Sequence, residues 1–311
     1  MEVAISGSSG LIGQALSTTL AQRGHRPIAL VRRSPRAGAD EVQWDPAKGE
    51  LDGAALEGLD AVVNLSGASL FGDRWSTAYK RVLVESRVNS SKCLAQTLSR
   101  LRTPPPTFLT ASGTTYYGSA DDAVLTESSP PGSNFLARMC VAWEEATNSA
   151  REAGIRTVPL RMGMVLSPVG GGLEDIVKPF RMGMGGKMGS GRQYTPWITI
   201  DDLTEAMLFA LEHGELEGPV NLTVPTPVTN ADFARAIGRA LGRPSLLPTP
   251  RFLLALALGK ERAENLLLAS LRVVPEKLTT HGFRFRHGEA EPALRSLLAP
   301  AAQPNLQRNP A

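Results

Sequence analysis

The sequence lacks the features that mark secreted or membrane-spanning proteins. Its 311 residues include only two cysteines, Cys93 and Cys140, which have neither paired nor metal-ligand spacing, so we expect a reducing compartment. The longest apolar runs, such as Phe252–Gly259, are far shorter than the roughly 20 residues that a membrane helix needs. No basic segment precedes the first apolar stretch, so the sequence predicts no signal peptide, no membrane association and a cytoplasmic location.

An excess of charge of either sign is also missing. The net charge is only +3, and no run of lysine and arginine exceeds two residues, which argues against a nucleic-acid partner. The four histidines are scattered without metal-ligand spacing, so no metal site is predicted. With 42% hydrophobic and 20% charged residues, the chain has the composition of an ordinary globular protein.

Strand and helix patterns alternate through the first two thirds of the chain. Helical patterns cover Ile12–Gln22, Ala78–Leu101 and Phe135–Ala153. Apolar strand patterns cover Val3–Ser6, Arg26–Arg33, Glu41–Asp45, Leu59–Gly67, Thr107–Ser112, Thr157–Met162 and Gly218–Val224. This alternation predicts an α/β fold, a Rossmann doubly wound parallel sheet covered by helices on both faces.

The texture changes after residue 165. Residues 167–197 are rich in glycine and methionine and predict a loop-rich excursion over a binding cleft, without core elements. We therefore predict two domains and a tail. They are a nucleotide-binding domain (1–166 plus 196–229), a smaller, mostly helical substrate lobe (167–195 plus 230–298) and a disordered tail (299–311).

The stretch GSSGLIG, residues 7–13, lies between a predicted strand and a predicted helix. Gly7 permits a tight turn, Gly10 lets the backbone approach a pyrophosphate, and Gly13 lets the helix pack against the sheet. The helix N-terminus then offers free N–H groups and a partial positive charge to phosphates. The alternative interpretation of such a glycine triplet is a flexible turn, but its strand–turn–helix context favours nucleotide binding.

The end of the second predicted strand indicates which nucleotide. NAD-binding folds usually place an acidic residue there, whereas this chain has Arg32 and Arg33 and no carboxylate before Asp40. Guanidinium groups suit a 2′-phosphate because they offer planar, charge-assisted donors. Surface arginines are also often merely solvated, but the missing acid favours NADP(H) as the cofactor.

Together these stretches resemble the extended short-chain dehydrogenase/reductase superfamily, with its GxxGxxG turn. The resemblance extends through NLSGAS (64–69), TASGTTYYG (110–118), PLRMGMVLSP (159–168) and PWITIDDL (196–203). It implies a loop beside the cofactor ribose after the fourth strand, a catalytic hydroxyl on the fifth strand and a nicotinamide-flanking segment on the sixth.

A narrower resemblance is to the NAD-dependent epimerase/dehydratase-like subgroup of YfcH-like epimerase family proteins. It is carried by WDPAKGELD (44–52), PVNLTVPTPVTN (219–230) and LRVVPEKLTTHGFRF (271–285). The resemblance implies a C-terminal helical domain of unknown function over about 247–294, and it names a fold better than a reaction.

The acid–base pair of the superfamily is missing. Its chemistry uses a tyrosine and a lysine four residues apart on one helix, but no YxxxK occurs in this chain. Alignment on Glu144 places Leu136 and Cys140 at the two positions, and a one-residue slip places Phe135 and Met139 there. An isolated cysteine on an apolar helix face is usually a small buried hydrophobe, so Cys140 is a weak candidate nucleophile.

Candidate site residues follow from these patterns and resemblances. Ser112, Tyr116 and Tyr117 are the candidate catalytic hydroxyls, and packing is the alternative role of Tyr117. Substrate contacts are predicted from Lys187, Arg192, Tyr194 and Trp197, whose two cations favour an anionic ligand if they point inward. Cofactor contacts are predicted from Gly7, Ser9, Gly10, Leu11, Ile12, Gly13, Arg32, Arg33, Trp44, Leu65, Ser66, Gly67, Ala111, Ser112 and Met162.

Two functions remain open from the sequence. The first is an NADP(H)-dependent oxidoreductase or epimerase-like enzyme acting on a small molecule with altered acid–base residues. The second is a catalytically silent NADP(H)-binding sensor or interaction protein, which the missing pair favours. The 167–197 excursion favours the enzyme, because a sensor needs no substrate cavity. Either a monomer or a homodimer is compatible with the sequence.

Overall fold

A computed structural model describes residues 1–299 of the chain, so most of the predicted disordered tail (299–311) lies outside the described residues. The strands in this range are β1 (Glu2–Ser6), β2 (Arg26–Val31), β3 (Glu41–Asp45), β4 (Glu50–Leu51), β5 (Ala61–Asn64), β6 (Thr107–Gly113), β7 (Val124–Leu125), β8 (Arg156–Met162), β9 (Met164–Leu166), β10 (Tyr194–Thr195), β11 (Trp197–Thr199), β12 (Val220–Leu222), β13 (Val228–Thr229) and β14 (Arg272–Val273).

The helices in the same range surround these strands. They are α1 (Leu11–Gln22), α2 (Thr77–Leu98), α3 (Phe135–Glu145), α4 (Asn148–Glu152), α5 (Leu173–Arg181), α6 (Ile200–Glu212), α7 (Asn230–Leu241), α8 (Arg251–Leu258), α9 (Lys260–Arg262), α10 (Glu276–Thr280) and α11 (Ala290–Leu298).

Eight strands form the main sheet, in the order β12-β8-β6-β5-β1-β2-β3-β4. All neighbours are parallel except β3 and β4. Leu16 and Leu203, from α1 and α6, pack on one face, and Leu94 and Leu98 of α2 pack with Phe108 on the other. Helices on both faces of a parallel sheet confirm the predicted doubly wound Rossmann fold.

A third core lies outside the main sheet and corrects one prediction. Residues 167–197 are not merely loops, because they contain the amphipathic helix α5. Its residues Leu173, Val177 and Phe180 are buried against α7 and α11, which contribute Phe233 and Leu294. Glycines flank this short helix and mask its 3.6-residue period in the sequence. The division of the chain into two domains stays a prediction.

Two element boundaries differ from the sequence prediction in ways that matter for the site. β2 ends at Val31, so Arg32 and Arg33 lie in the loop that follows the strand. The helix predicted over 135–153 is interrupted at Thr147, whose Oγ1 donates to the Glu144 carbonyl at 2.6 Å. Such local hydrogen bonds from threonine compete with helix continuation.

The centre of the sheet supplies a first testable prediction. Leu109 of β6 is fully buried in the core that α1 and α6 cover. We expect Leu109→Ala to lower the free energy of unfolding by about 2–5 kcal/mol, because it leaves a cavity that the sheet cannot close. Urea denaturation measures the change. The matched control is Val124→Ala, at an exposed position of β7, which we expect to change stability by less than about 0.5 kcal/mol; equal losses would refute the core assignment.

Candidate functional site

The strand order of the sheet reverses between β1 and β5, and this is where its crevice opens. In doubly wound sheets, ligands bind at such a switch point, outside the carboxyl ends of the strands. Gly7 follows β1 with a φ of +70°, and a Cβ atom there would lie 2.8 Å from the carbonyl oxygen of Leu65, which follows β5. Only glycine lets the two chain segments approach so closely.

The turn from Gly7 to Gly10 leads into α1, and no side chain caps the N-terminus of that helix. The Gly10 N–H donates to the Gly7 carbonyl at 3.0 Å, and a Cβ on Gly13 would lie 2.3 Å from that same oxygen. Gly10 is the N-cap of α1, and no side chain caps the helix or places an acidic group in its first turn. The N-terminal N–H groups and the partial positive charge of α1 are therefore available to an anion.

A buried hydroxyl–amide network fixes the loop that follows β5. Ser6 Oγ donates to Asn64 Oδ1 at 2.6 Å, and Ser66 Oγ donates to Ser6 Oγ at 3.0 Å. Asn64 Nδ2 donates in turn to Ser91 Oγ of α2 at 2.8 Å. These bonds lock Leu65–Gly67 opposite the glycine turn, as the predicted ribose-side loop requires.

A buried cation, Arg87, holds the end of the same loop by a hydrogen bond. The Arg87 guanidinium of α2 donates to the Ala68 carbonyl at 2.9 Å, and a Cβ on Gly67 would lie 3.2 Å from its Cζ. No carboxylate among residues 1–299 forms an ion pair with Arg87, and its Nε is buried without a hydrogen-bond partner. Burial lowers the pKa of Arg87, because desolvation disfavours a guanidinium charge that no carboxylate balances.

The segment after β9 reaches over the glycine turn. A Cβ on Gly171 would lie 3.1 Å from Leu11 Cδ2, and one on Gly170 would lie 3.7 Å from Leu11 Cδ1. Leu11 and Ile12 are half-buried and pack on the core, whereas Ser9 is exposed at the tip of the turn. The predicted excursion thus lies beside the start of α1.

The two arginines after β2 differ in their surroundings. Arg33 Nη1 and Nη2 donate to Glu41 at 2.8 and 2.7 Å, and Arg36 donates to the same carboxylate. The Arg33 side chain and the Arg36 backbone hold the pKa of Glu41 at about 2. Arg32 is exposed and forms no ion pair within the described part of the chain. The loop therefore keeps a positive charge that Glu41 does not balance.

The predicted catalytic serine belongs to a buried ion pair. Ser112 Oγ, on β6, donates to Glu144 Oε1 at 2.7 Å. Arg161 of β8 donates to the same carboxylate through Nε at 2.9 Å and Nη2 at 2.8 Å. Both charged side chains are nearly inaccessible to solvent, so the bidentate pair and the serine form one rigid unit.

The two tyrosines have different environments. The Tyr117 hydroxyl donates to Asn221 Oδ1 at 2.7 Å and accepts from Arg161 Nη1 at 3.0 Å, and burial raises its pKa to about 12. This buried, fully bonded phenol corrects the prediction of Tyr117 as a proton donor. Tyr116 is half-buried, with Arg161 Cζ 3.4 Å from its ring centroid.

Helix α3 offers no acid–base pair toward the crevice. Leu136, Met139 and Cys140 are buried, and Phe135 contacts Trp75 edge-to-face. Burial raises the pKa of the Cys140 thiol, which lies 3.4 Å from Thr115 Oγ1. Cys140 is therefore a packed thiol rather than an activated nucleophile.

Burial also corrects two predicted contacts. Trp197 is completely inaccessible and packs on Phe233 in the third core, so its ring cannot contact a substrate. Trp44 packs with Ile28 and Leu30 in a hydrophobic core against the sheet, so its ring is not available for the predicted cofactor contact. A sequence pattern cannot separate a tryptophan that lines a cleft from one that fills a core.

The remaining predicted residues lie at two places. Ala111 is buried on β6, and Met162 is half-buried at the end of β8, on the crevice side of the sheet. Lys187 and Arg192 are exposed, and Tyr194 is half-buried. Arg192 borders a cavity of about 330 Å³ whose walls are Ser119, Asp121, Asp122, Ser190, Arg192, Gln193, Arg251, Leu268 and Ser270.

Sequence reasoning missed Arg87 and Arg161 and used Glu144 only as an alignment marker. A usable signal existed for Arg161, since a charged residue inside an apolar strand pattern requires a buried partner. No such signal existed for Arg87, because its burial depends on the packing of α2 against α3. Residues 1–299 contain no cluster of metal-ligating side chains, and no helix among them is long and apolar enough to span a membrane.

Comparison with protein families decides the membership of the chain. Residues 3–223 match the family model of NAD dependent epimerases and dehydratases. The chain belongs to this family. Residues 249–297 match a domain of unknown function, DUF1731, which confirms the predicted C-terminal domain and the resemblance to the short-chain dehydrogenase/reductase superfamily.

Two relatives in the same family match nearly the whole chain. The chain is 43% identical over 292 residues to the epimerase family protein Mb2239 of Mycobacterium bovis, which covers 94% of this chain and 96% of that protein. It is 34% identical over 302 residues to the human epimerase family protein SDR39U1, covering 96% and 100%.

Two solved structures support the same assignment. The crystal structure of human SDR39U1 with NADPH superimposes with a TM-score of 0.86 at 31% identity and covers 96% of this chain and 99% of that one. A nucleoside-diphosphate sugar epimerase from Corynebacterium glutamicum gives a TM-score of 0.78 at 34% identity and covers 94% of this chain and 57% of that one.

The Glu144–Arg161 pair generates a second prediction. We expect Glu144→Gln to lower the free energy of unfolding by about 3–5 kcal/mol, because it leaves the Arg161 charge buried without a countercharge. Chemical denaturation measures the loss. Glu145→Gln, one residue away on the exposed side of α3, is the matched control and is expected to be neutral. If the double variant Glu144→Gln/Arg161→Met were no more stable than Glu144→Gln alone, the countercharge explanation would fail.

Proposed function

We propose that this protein binds NADP(H) in the crevice between β1 and β5 and acts as an oxidoreductase or epimerase-like enzyme on a small molecule. The observation that carries the proposal is the glycine-rich turn from Gly7 to Gly13, which leads into a helix N-terminus that no side chain caps. It agrees with the crystal structure of human SDR39U1, which was solved with NADPH.

The residues present fit a dinucleotide. A Cβ at Gly7 or Gly13 would clash with the backbone of Leu65 or Gly7, so these glycines let α1 start close to the carboxyl ends of β1 and β5, where a pyrophosphate would lie. The N–H groups of α1 would hold the pyrophosphate. The Leu65–Gly67 loop, held by Asn64 and supported by Arg87, would line the ribose side.

The loop after β2 would select the 2′-phosphate of NADP(H). Arg32 is exposed and unpaired within residues 1–299, and Arg33 and Arg36 share the single carboxylate of Glu41. Two guanidiniums on one carboxylate leave a net positive charge beside Arg32. Phosphate oxygens accept bidentate, charge-assisted hydrogen bonds from such groups.

The chemistry proposed here differs from the usual tyrosine–lysine scheme. When bound, the nicotinamide would supply or accept a hydride. When the cofactor accepts a hydride, Ser112 Oγ would take a substrate proton while its own proton moves to Glu144 Oε1; when the cofactor supplies a hydride, both proton transfers would run in reverse. Arg161 would hold the Glu144 carboxylate and the ring of Tyr116 in place.

A substrate would enter from the side of the C-terminal lobe. The cavity beside Arg192 and Arg251 lies next to Ser119, two residues after Tyr117. The walls carry Asp121 and Asp122 as well as Arg192 and Arg251. Arg192 forms no ion pair within the described range, so it is the proposed contact for an anionic group of the substrate. Lys187 and Tyr194 stay predicted contacts on the same segment.

The second candidate is a catalytically silent NADP(H)-binding sensor or interaction protein. It is favoured by the bonding of Ser112, whose only described partner is a carboxylate already held by Arg161, and by the buried phenol of Tyr117. A cytoplasmic location and a monomer or homodimer stay predictions from the sequence.

Cofactor selection gives the third prediction. We expect the wild-type chain to bind NADPH more tightly than NADH, and Arg32→Ala to weaken NADPH binding about tenfold, since it removes a charged hydrogen-bond donor. Arg33→Ala is expected to have a smaller effect because Glu41 already engages that side chain. Calorimetric titration with each cofactor measures the affinities.

The matched control is Arg23→Ala, which removes a surface arginine that pairs with Glu205 at the far end of α1. It should leave both affinities unchanged. Equal affinities of the wild-type chain for NADPH and NADH would refute the proposed 2′-phosphate site.

Turnover separates the enzyme from the sensor and gives the fourth prediction. With NADPH and a broad panel of carbonyl compounds and quinones, we expect the protein to oxidise NADPH and reduce at least one of the compounds. Ser112→Ala is expected to slow NADPH oxidation by about 100-fold or more, because the group that would donate a proton to the reduced substrate is lost. If NADPH binds tightly, no compound is reduced and a protein partner co-purifies only with bound cofactor, the sensor replaces the enzyme.

A further inference from the structure

Exposed apolar side chains concentrate on one part of the C-terminal lobe. Leu246, Phe252 and Leu256 are 82%, 68% and 78% exposed, and Leu247, Leu253, Met182 and Met184 are exposed as well. A soluble protein normally exposes large apolar side chains singly. A cluster of this kind marks a surface that binds something.

The cluster belongs to two segments that lie side by side. The Leu247 N–H donates to the Gly185 carbonyl at 3.2 Å, and the Thr249 N–H donates to the Lys187 carbonyl at 2.8 Å. A bridge between Met188 and Thr249 continues the pairing. We call residues 178–192 and 243–260 together the basic-apolar surface.

Helix α8 forms the most apolar part of this surface. Its sequence, RFLLALAL, has leucine or phenylalanine on every side, but only Leu254 is buried. Phe252, Leu253 and Leu256 therefore stand in water in the isolated chain. Burial of these apolar groups would be favourable, but no segment among residues 1–299 covers them. We therefore expect α8 to bind a partner.

The charge of the surface has one sign. Residues 178–192 and 243–260 contain seven lysines and arginines and no aspartate or glutamate, although the whole chain has a net charge of only +3. Arg181 and Arg251 pair with Glu174 and Glu264 from outside the surface. The other five cations are exposed and form no ion pair within residues 1–299; they are Lys178, Lys187, Arg192, Arg243 and Lys260.

This charge distribution limits the choice of partner. A second copy of the chain, joined through the same surface about a twofold axis, would bring two basic patches together and repel itself. A partner must combine negative charge with apolar volume. The apolar side chains are largely exposed, and a fluid apolar layer can cover them without a complementary shape.

We propose that the basic-apolar surface docks on an anionic lipid bilayer. α8 lies in the interface with Phe252, Leu253 and Leu256 among the acyl chains, and the flanking cations, Lys260 and Arg243 among them, contact lipid phosphates. The docking is peripheral and needs no membrane-spanning helix; it departs from the sequence-based expectation of no membrane association. Arg251 belongs both to α8 and to the wall of the cavity, so that cavity opens beside the bilayer.

Vesicle co-sedimentation of the full chain tests this proposal. We expect binding to vesicles of phosphatidylcholine mixed with phosphatidylglycerol, and little binding to phosphatidylcholine alone. Added salt should weaken the binding because it screens the cations from the lipid phosphates. Phe252→Ser/Leu256→Ser should reduce binding about tenfold or more, since it removes the inserted side chains. Lys187→Gln/Lys260→Gln should reduce binding to the anionic vesicles.

The matched control is Val82→Ser/Val124→Ser, which changes two exposed apolar residues far from the basic-apolar surface in sequence and should leave vesicle binding unchanged. Thermal unfolding of every variant verifies that the fold is retained. Three results would each overturn the proposal. The first is that the chain does not bind anionic vesicles, and the second is that Phe252→Ser/Leu256→Ser binds them as well as the wild type. The third is a solution dimer that dissociates in this variant, because it would assign the surface to a second copy.

Discussion

The close approach of β1 and β5 at the centre of the sheet determines where this protein can hold a ligand. Gly7 and Leu65 meet there through backbone atoms alone, at a distance that excludes a Cβ atom. The same turn brings Gly13 against the Gly7 carbonyl, so α1 starts directly above the crevice. Every proposed cofactor contact depends on this geometry, because the uncapped N–H groups of α1 point to the opening only when the helix packs this closely.

A second constraint is the buried pair of Glu144 and Arg161. It connects α3 with β8 and, through Ser112, Tyr117 and Asn221, with β6 and β12. A buried ion pair is a weak source of stability, but the loss of one partner is costly, so such a unit fixes geometry. Here it fixes hydroxyl groups where the family resemblance implies a tyrosine–lysine pair. The positions of that pair carry Leu136 and Cys140 here, so the proposed chemistry depends on Ser112 and Glu144 instead.

The C-terminal lobe joins the two proposals. Its helices α7 and α11 pack with α5 into the third core, and this packing carries the segment that borders the cavity beside Arg192. α8 belongs to no core beyond Leu254, and its leucines add exposed apolar area instead. One lobe thus provides both a wall of the proposed substrate cavity and the basic-apolar surface. A substrate that partitions between water and a bilayer would reach the cavity from the membrane to which the basic-apolar surface is proposed to bind.

The sequence by itself determined the sheet, the glycine turn and the family, because alternating periodicities and closely spaced glycines are local patterns. It also determined that Arg32 lies near the end of β2 and that no YxxxK exists. Only the tertiary structure decided that Glu41 engages Arg33, that Trp44 and Trp197 fill cores, and that Ser112, Glu144 and Arg161 form one unit. These facts join residues far apart in the chain, and burial and pairing at such distances depend on how the elements pack rather than on the residues beside them.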